Sequence, residues 1–240
     1  IFQGFTQAKE TPEYKNCNYN IAYAYFKLKE YDEAGNYFDN QIKTSNDKVR
    51  LHDSYLRLAD CRFVTSKYTS ALEAYNKVIE LKSIDADYAY FQKAICYGFV
   101  SKNDKKIEEL NAFLQLYPKS DYRDDAYFEL GNTYVAENKQ DLAIKTYDKL
   151  NSEFVKGSYT SKAILRQGLI YYNSDKDDLA LTKFKKVAAD FPKTPEALEA
   201  VSTARLIYVD NGKVDEYATW VRTLDFVTVT DAELDNDTYE

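Results

Sequence analysis

Residues 124–155 read DDAYFELGNTYVAENKQDLAIKTYDKLNSEFV, and the fold follows from where small and large side chains fall in that stretch. Tyr127, Leu130, Gly131 and Tyr134 share one helical face through their i, i+3, i+4, i+7 spacing. After a polar break at Glu137-Asn138-Lys139-Gln140-Asp141, residues Ala143, Tyr147 and Leu150 do the same on a second helix. Gly131 and Ala143 let the two backbones approach, while the flanking aromatics lock the pair. A glycine inside a helix costs about 1 kcal/mol relative to alanine, so Gly131 calls for a packing reason, and a closely approaching partner helix supplies one.

The same register recurs along the chain. The Ala143 slot holds Ala34, Ala71, Lys106, Ala143, Ala180 and Tyr217, at successive spacings of 37, 35, 37, 37 and 37. Four residues further on stand Phe38, Tyr75, Leu110, Tyr147, Phe184 and Val221. The Gly131 slot holds Ala22, Ala59, Ala94, Gly131, Gly168 and Arg205, and the Tyr134 slot holds Tyr25, Arg62, Tyr97, Tyr134, Tyr171 and Tyr208. Unrelated amphipathic helices share a period, but not one small-residue register kept through six units. Lys106, Arg62, Arg205 and Tyr217 depart from the pattern, which leaves the second helix of the third copy and the whole sixth copy the least regular.

This pattern resembles the tetratricopeptide repeat (TPR), whose W-x2-L-G-x2-Y, A-x3-F and later P it matches with Tyr127 in place of W and Val155 in place of P. The resemblance implies an all-α fold: an α-α superhelix, or TPR solenoid, of about six helical hairpins, here a fragment of a longer array. A helical array of another repeat family is the alternative. Residues 1–225 then form a single solenoid, with a partial helix at 1–9 and repeats at about 14–44, 51–81, 87–116, 124–155, 161–191 and 197–224, and residues 225–240 form an acidic tail or linker.

Composition agrees with a helical repeat. The 240 residues are 45% hydrophobic, enough for a sizeable core, while 7 Gly and 4 Pro argue against an all-β or disordered chain. The 23 Tyr and 13 Phe suit a fold whose inter-helix locks are aromatic. A net charge of -7 disfavours nucleic acid, because no basic stripe is present to neutralise phosphates. No apolar run approaches the length of a membrane span. Cys17, Cys61 and Cys96 neither pair evenly nor show metal-ligand spacing. Cys61 and Cys96 occupy equivalent slots of adjacent copies, where stacked helices lie about 10 Å apart, beyond the reach of a disulfide at about 4.4–6.8 Å. They are expected to be small buried side chains filling a seam.

The connections carry their own signals. Phe2 and Phe5 match the spacing of Tyr147 and Leu150, so the first residues read as the end of a second helix. Ser45-Asn46-Asp47 is expected to start a helix, and Tyr117-Pro118-Lys119-Ser120 to end one and cap the next. Gly157 is expected to supply a left-handed turn, Thr194 to cap a helix with Pro195 at its first position, and Asn211-Gly212 to make the internal turn of the last copy. Phe226-Val227-Thr228-Val229-Thr230 reads as strand-like among Asp225, Asp231, Glu233, Asp235, Asp237 and Glu240, and Thr230-Asp231-Ala232-Glu233 has capping-box spacing. This tail is either an exposed linker or a cover over the last helix pair.

The residues point away from an enzyme. His52 is the only histidine, and the paired acids Asp124-Asp125 and Asp177-Asp178 stand at helix starts, where the helix dipole favours them. The sequence holds no phosphate loop, nucleophile elbow or His/Cys ligand cluster, so no cofactor or metal is expected. A solenoid instead presents a concave face to other proteins. In the TPR family that face is lined by the first helix of each pair, one residue beyond the packing positions. Here the stripe includes Tyr19, Tyr23, Phe26, Leu56, Phe63, Phe91, Ile95, Phe128, Asn132, Leu165 and Tyr172. The family's carboxylate-clamping members place Lys and Asn there; only Asn132 matches, so a helical or apolar peptide segment is the expected partner. Some of these side chains are alternatively plain core.

The Pro118-Lys119-Ser120 and Pro192-Lys193-Thr194 junctions, each followed by an alanine in the new helix (Ala126, Ala197), are similar in style to those of bacterial envelope TPR proteins. These are the periplasmic cell-division coordinator family encoded near Tol-Pal, and the lipoprotein subunit of the outer-membrane β-barrel assembly machine. That similarity implies a scaffold within a cell-envelope assembly, periplasmic or attached to the outer membrane, with a cytoplasmic location as the alternative. A passive structural subunit, using its convex face and termini, is the second functional expectation.

Overall fold

The structure, a computed structural model, describes residues 12–228 and 230. The helix end expected at 1–9 and the capping box completed by residues 231–233 lie outside the described residues. Among the described residues every element is a helix. They are α1 Pro12–Lys27, α2 Tyr31–Thr44, α3 Lys48–Val64, α4 Tyr68–Glu80, α5 Ala86–Phe99, α6 Asn103–Leu116, α7 Arg123–Ala136, α8 Gln140–Glu153, α9 Thr160–Tyr172, α10 Asp177–Asp190, α11 Pro195–Asp210 and α12 Val214–Val221. The chain divides into two compact units, residues 1–126 and 127–240. In the first, each helix from α1 to α6 packs on the next; in the second, α8 to α12 do the same. Each unit is all-α and of the TPR solenoid class, built of helices packed in chain order. No described helix is long and apolar enough to cross a membrane.

The hairpin turns repeat as faithfully as the core. Lys29, Ser66, Ser101, Asn138, Asp175 and Gly212 all have positive φ, between 54° and 64°, and follow one another at the spacings 37, 35, 37, 37 and 37. Each ends its helix in a Schellman motif. In the fourth copy Asn138 N–H donates to Val135 O (3.0 Å) and Lys139 N–H to Tyr134 O (2.8 Å); in the sixth Gly212 N–H donates to Val209 O (2.9 Å) and Lys213 N–H to Tyr208 O (2.7 Å). The next helix starts at once, because the carbonyl of Lys139 accepts from Ala143 N–H at 3.0 Å. The Tyr134 and Ala143 slots are thus tied by backbone as well as by packing. Left-handed backbone costs a non-glycine residue about 1 kcal/mol or more. Ser101→Gly and Asp175→Gly are therefore expected to stabilise the protein by about 0.5–1 kcal/mol each, read as a rise in the urea midpoint at constant slope. Gly212→Ala should lower it by a similar amount.

The close approach inferred at Gly131 is real. A Cβ there would lie 2.4 Å from Tyr147 Cε1, and one on Gly168 would lie 2.5 Å from Phe184 Cε1. Each lock ring lies flat over a glycine of the preceding helix. In the third copy Lys106 fills the alanine slot by another route: its stem runs across Gly98, whose missing Cβ would be 3.0 Å from Lys106 Cδ.

The helix ends follow the sequence with three differences. Asp47 caps α3 by accepting from Val49 N–H (3.0 Å) and Arg50 N–H (3.3 Å), and Thr194 caps α11 by accepting from Ala197 N–H (3.2 Å), with Pro195 opening the helix. Ser120, in contrast, lies before the start of α7; it accepts from Tyr122 N–H at 3.2 Å and donates its hydroxyl proton to Asp87 at 2.6 Å, tying the loop to α5. Gly157 does not adopt a left-handed conformation. Its lack of a side chain matters for space, since a Cβ would sit 2.9 Å from Phe154 Cβ. Residues 225–228 carry no strand; Leu224, Phe226 and Val227 pack against the cluster of Val201, Tyr208, Tyr217 and Val221 on α11 and α12. An apolar side chain beside the last hairpin gains more from that cover than from an unpaired extended strand.

Candidate partner-binding face

The first-helix stripe is far less open than its spacing suggests. None of its eleven members is exposed. Leu56 (3% exposed), Phe91 (8%) and Leu165 (5%) are core residues, which corrects their expected place in a partner groove. A first helix has a neighbour on either side, so its buried arc extends past the three packing positions and encloses the residues adjoining them. Tyr19, Tyr23, Phe26, Phe63, Ile95, Phe128, Asn132 and Tyr172 are half-buried.

In the first unit this face is a polar network rather than an apolar stripe. Tyr19 and Tyr23 both donate their hydroxyl protons to Asp53 Oδ2, at 2.7 and 2.6 Å. Arg57 donates from Nε to the Tyr23 hydroxyl (3.3 Å) and from Nη1 to Asp60 Oδ2 (3.0 Å). Tyr75 and Tyr88 donate to Asp60 Oδ1 at 2.9 and 3.1 Å. Four helices, α1, α3, α4 and α5, are thereby joined through two aspartates and one arginine. The Phe26 ring lies 5.9 Å from the Arg57 guanidinium carbon, a cation–π distance. Farther along, Phe91 stacks on Tyr122 with centroids 5.8 Å apart. The stripe reading overlooked Asp53 and Arg57. Their signal was available: Asp53, Arg57 and Asp60 form an i, i+4, i+7 charged line along one first helix, where the equivalent slots of α5 hold Tyr88, Gln92 and Ile95.

Burial pushes the Asp60 carboxyl above its ordinary 3.8, while Tyr75, Arg57 and Tyr88 pull it back. A carboxyl raised by folding binds its proton more tightly in the native state. Its contribution to stability is therefore largest below 3.8 and is lost as pH rises through the raised value. The stability of the parent minus that of Asp60→Asn should accordingly fall as pH is raised from 3.8 upward, measured by urea titration at several pH values.

In the second unit the face is more apolar. Phe128 stacks on Tyr159 with centroids 4.7 Å apart, and Leu169 and Tyr172 lie half-buried against the α9–α11 cluster. Asn132 is occupied from within, accepting the Tyr147 hydroxyl proton at 2.7 Å. Asp60 and Asn132 hold the same repeat slot, and each anchors the lock tyrosine of its own hairpin. Asn132 thus serves the hairpin lock, which accounts for its presence without a carboxylate clamp.

Comparison with known proteins agrees with this architecture. Tetratricopeptide-repeat family models match residues 16–48, 124–152 and 162–194. No curated protein sequence matches the chain. Among solved structures, a tetratricopeptide repeat protein from Parabacteroides merdae is similar with a TM-score of 0.65 at 14% identity, covering 92% of this chain and 82% of its own. YrrB, described as a TPR protein with an unusual peptide-binding site, gives 0.58 at 15% identity, with 83% and 96% covered. MamA from Desulfovibrio magneticus gives 0.58 at 18%, with 73% and 93% covered. At these identities the likeness is one of fold. The chain therefore carries tetratricopeptide repeats in a TPR fold, a class that generally mediates protein–protein interaction and is generally non-enzymatic.

Proposed function

We propose that this chain is a protein-interaction scaffold that holds a partner segment along its first-helix face, within a bacterial cell-envelope assembly. The observation that carries the reading is the Tyr19–Tyr23–Asp53–Arg57–Asp60 network. It fixes half-exposed aromatic and charged groups in place before any partner arrives, which lowers the entropy lost on binding. Within the second unit, the half-buried Phe128, Leu169 and Tyr172 offer an apolar first-helix face. The peptide-binding site named for YrrB supports a peptide as the partner. The envelope setting is supported by the Pro118-Lys119-Ser120 and Pro192-Lys193-Thr194 junctions.

One observation favours the second reading, a structural subunit that works through its other surfaces. Among the described residues, the most exposed large apolar side chains, Ile84 (95%), Val49 (79%), Val155 (67%) and Leu28 (66%), lie at helix ends and connections and not on the stripe. A photo-crosslinking residue placed at Tyr23, Phe63 or Tyr172, and separately at the outward Lys77 or Lys145, distinguishes the two in the native host. A discrete adduct from the first set alone is expected. Adducts from the second set alone would overturn the first-helix face, and recovery of the protein solely in the cytosolic fraction would overturn the envelope setting.

A further inference from the structure

One core slot breaks the repeat's own rule. Val78, Phe113, Leu150 and Val187 stand at equivalent positions in the second helices of copies two to five, and all are fully enclosed. In the first copy that slot holds Gln41, equally enclosed, with neither amide atom hydrogen-bonded. Its neighbour helix repeats the anomaly. Ala89, Ala126, Ala163 and Ala200 are the equivalents of Ser54, which is 0% exposed and whose hydroxyl also has no partner. Ser54, Leu58 and Cys61 lie on one face of α3 by i, i+4, i+7 spacing, and that face meets α2. The Cβ that Gly35 lacks would sit 3.5 Å from Cys61 Cβ and 3.7 Å from Leu58 Cδ1.

Buried polar atoms left unbonded forfeit the hydrogen bonds that water gives them when the seam opens. Opening the α2–α3 seam exchanges the part-exposed bonds of Tyr19, Tyr23 and Arg57 and the exposed Asp32–Lys67 pair for bonds to water, at little net cost, and restores three wholly buried polar atoms to water; opening the α4–α5 seam parts Tyr88 from Asp60 and otherwise exposes the apolar surface around Val78 and Ala89. In a stacked array, stability is close to a sum of hairpin and seam contributions, so one weak seam defines where the stack parts.

We propose that the α2–α3 seam is a built-in opening point, at which the α1–α2 hairpin swings away as a unit while α3 to α6 stay folded. Opening there uncovers Cys61 and the α2-facing side of α3. Cys61 (1% exposed) and Cys96 (0%) occupy equivalent slots facing the two seams, and burial pushes both thiols up to about 12. The chain thus carries a matched pair of reporters, closed in the same way and differing in the seam that covers them.

The test is native-state thiol labelling with a small alkylating reagent. Sites are assigned by peptide mass and each rate is divided by its value in urea; the exposed Cys17 reacts at once and is set aside. Cys61 is expected to label at least about 10-fold faster than Cys96. Gln41→Val with Ser54→Ala should slow Cys61 by about 10-fold or more and leave Cys96 unchanged. The reverse transplant, Val78→Gln with Ala89→Ser, should accelerate Cys96. Equal labelling of the two thiols in the parent would overturn the proposal. So would a Gln41→Val/Ser54→Ala variant in which Cys61 stays fast, or a transplant that leaves Cys96 slow. Hydrogen exchange of α1 and α2 against α5 and α6 gives a second readout in the same variants, independent of cysteine chemistry.

Discussion

Ala143→Arg is expected to destabilise the protein by about 3 kcal/mol or more, seen as a fall of roughly 10 °C in the thermal midpoint. Ala143 is 0% exposed, and its N–H closes the first turn of α8 on Lys139 O at 3.0 Å, so its backbone has no freedom to move outward. A long cation placed there must either stay buried without a partner or reach solvent along its own stem. The third copy shows what the second route requires. Lys106 occupies the same slot and passes over Gly98, but the residue equivalent to Gly98 in α7 is Val135, whose branched side chain blocks that path. Ala143→Lys is an internal control: it should be severely destabilising alone and recover a large part of the loss when combined with Val135→Gly. A single variant that melts like its parent would refute the register on which the whole repeat assignment stands.

Phe184→Ala should cost about 3–5 kcal/mol, the range for removing a fully enclosed phenylalanine. Phe184 is 0% exposed and its ring lies against the bare backbone of Gly168 in α9. Truncation removes the ring from a site where the opposing residue has no side chain to collapse into the space, so the cavity term should be near the top of its range. Leucine at 184 restores part of the volume and, without a flat ring, leaves room for a Cβ on α9. Phe184→Leu with Gly168→Ala reproduces the Ala94 and Leu110 pairing of the third copy and should be more stable than Phe184→Leu alone. Urea unfolding of the four proteins forms a double-mutant cycle, and additive effects would show that the ring and the glycine do not depend on one another.

The helices, their order and their close approaches were legible in the sequence because each depends on spacing within a hairpin. A small residue at 131 and an aromatic at 147 identify each other at short range, and the slot recurs often enough to be recognised even where Lys106 or Tyr217 breaks it. Of the left-handed turns only the one at Asn211-Gly212 was legible, although all six recur with the same spacing. Five of the six use Lys, Ser, Asn or Asp where glycine would announce itself, since the Schellman hydrogen bonds outweigh the strain of a side chain at positive φ. The candidate face was read only in part. Its positions follow from helical spacing, but Leu56, Phe91 and Leu165 went into the core and Asp53 and Arg57 became its centre.

Sequence by itself determined the repeating unit, because hairpin formation is decided by local periodicity, small-residue contact and chain stops within about 34 residues. Which side chains are enclosed was decided only by the tertiary structure. Burial of a first-helix residue depends on the hairpins on both sides of it, which lie outside its own repeating unit. The same holds for Gln41 and Ser54: each is an ordinary residue on an amphipathic helix until the neighbouring hairpin closes over it and takes away its water.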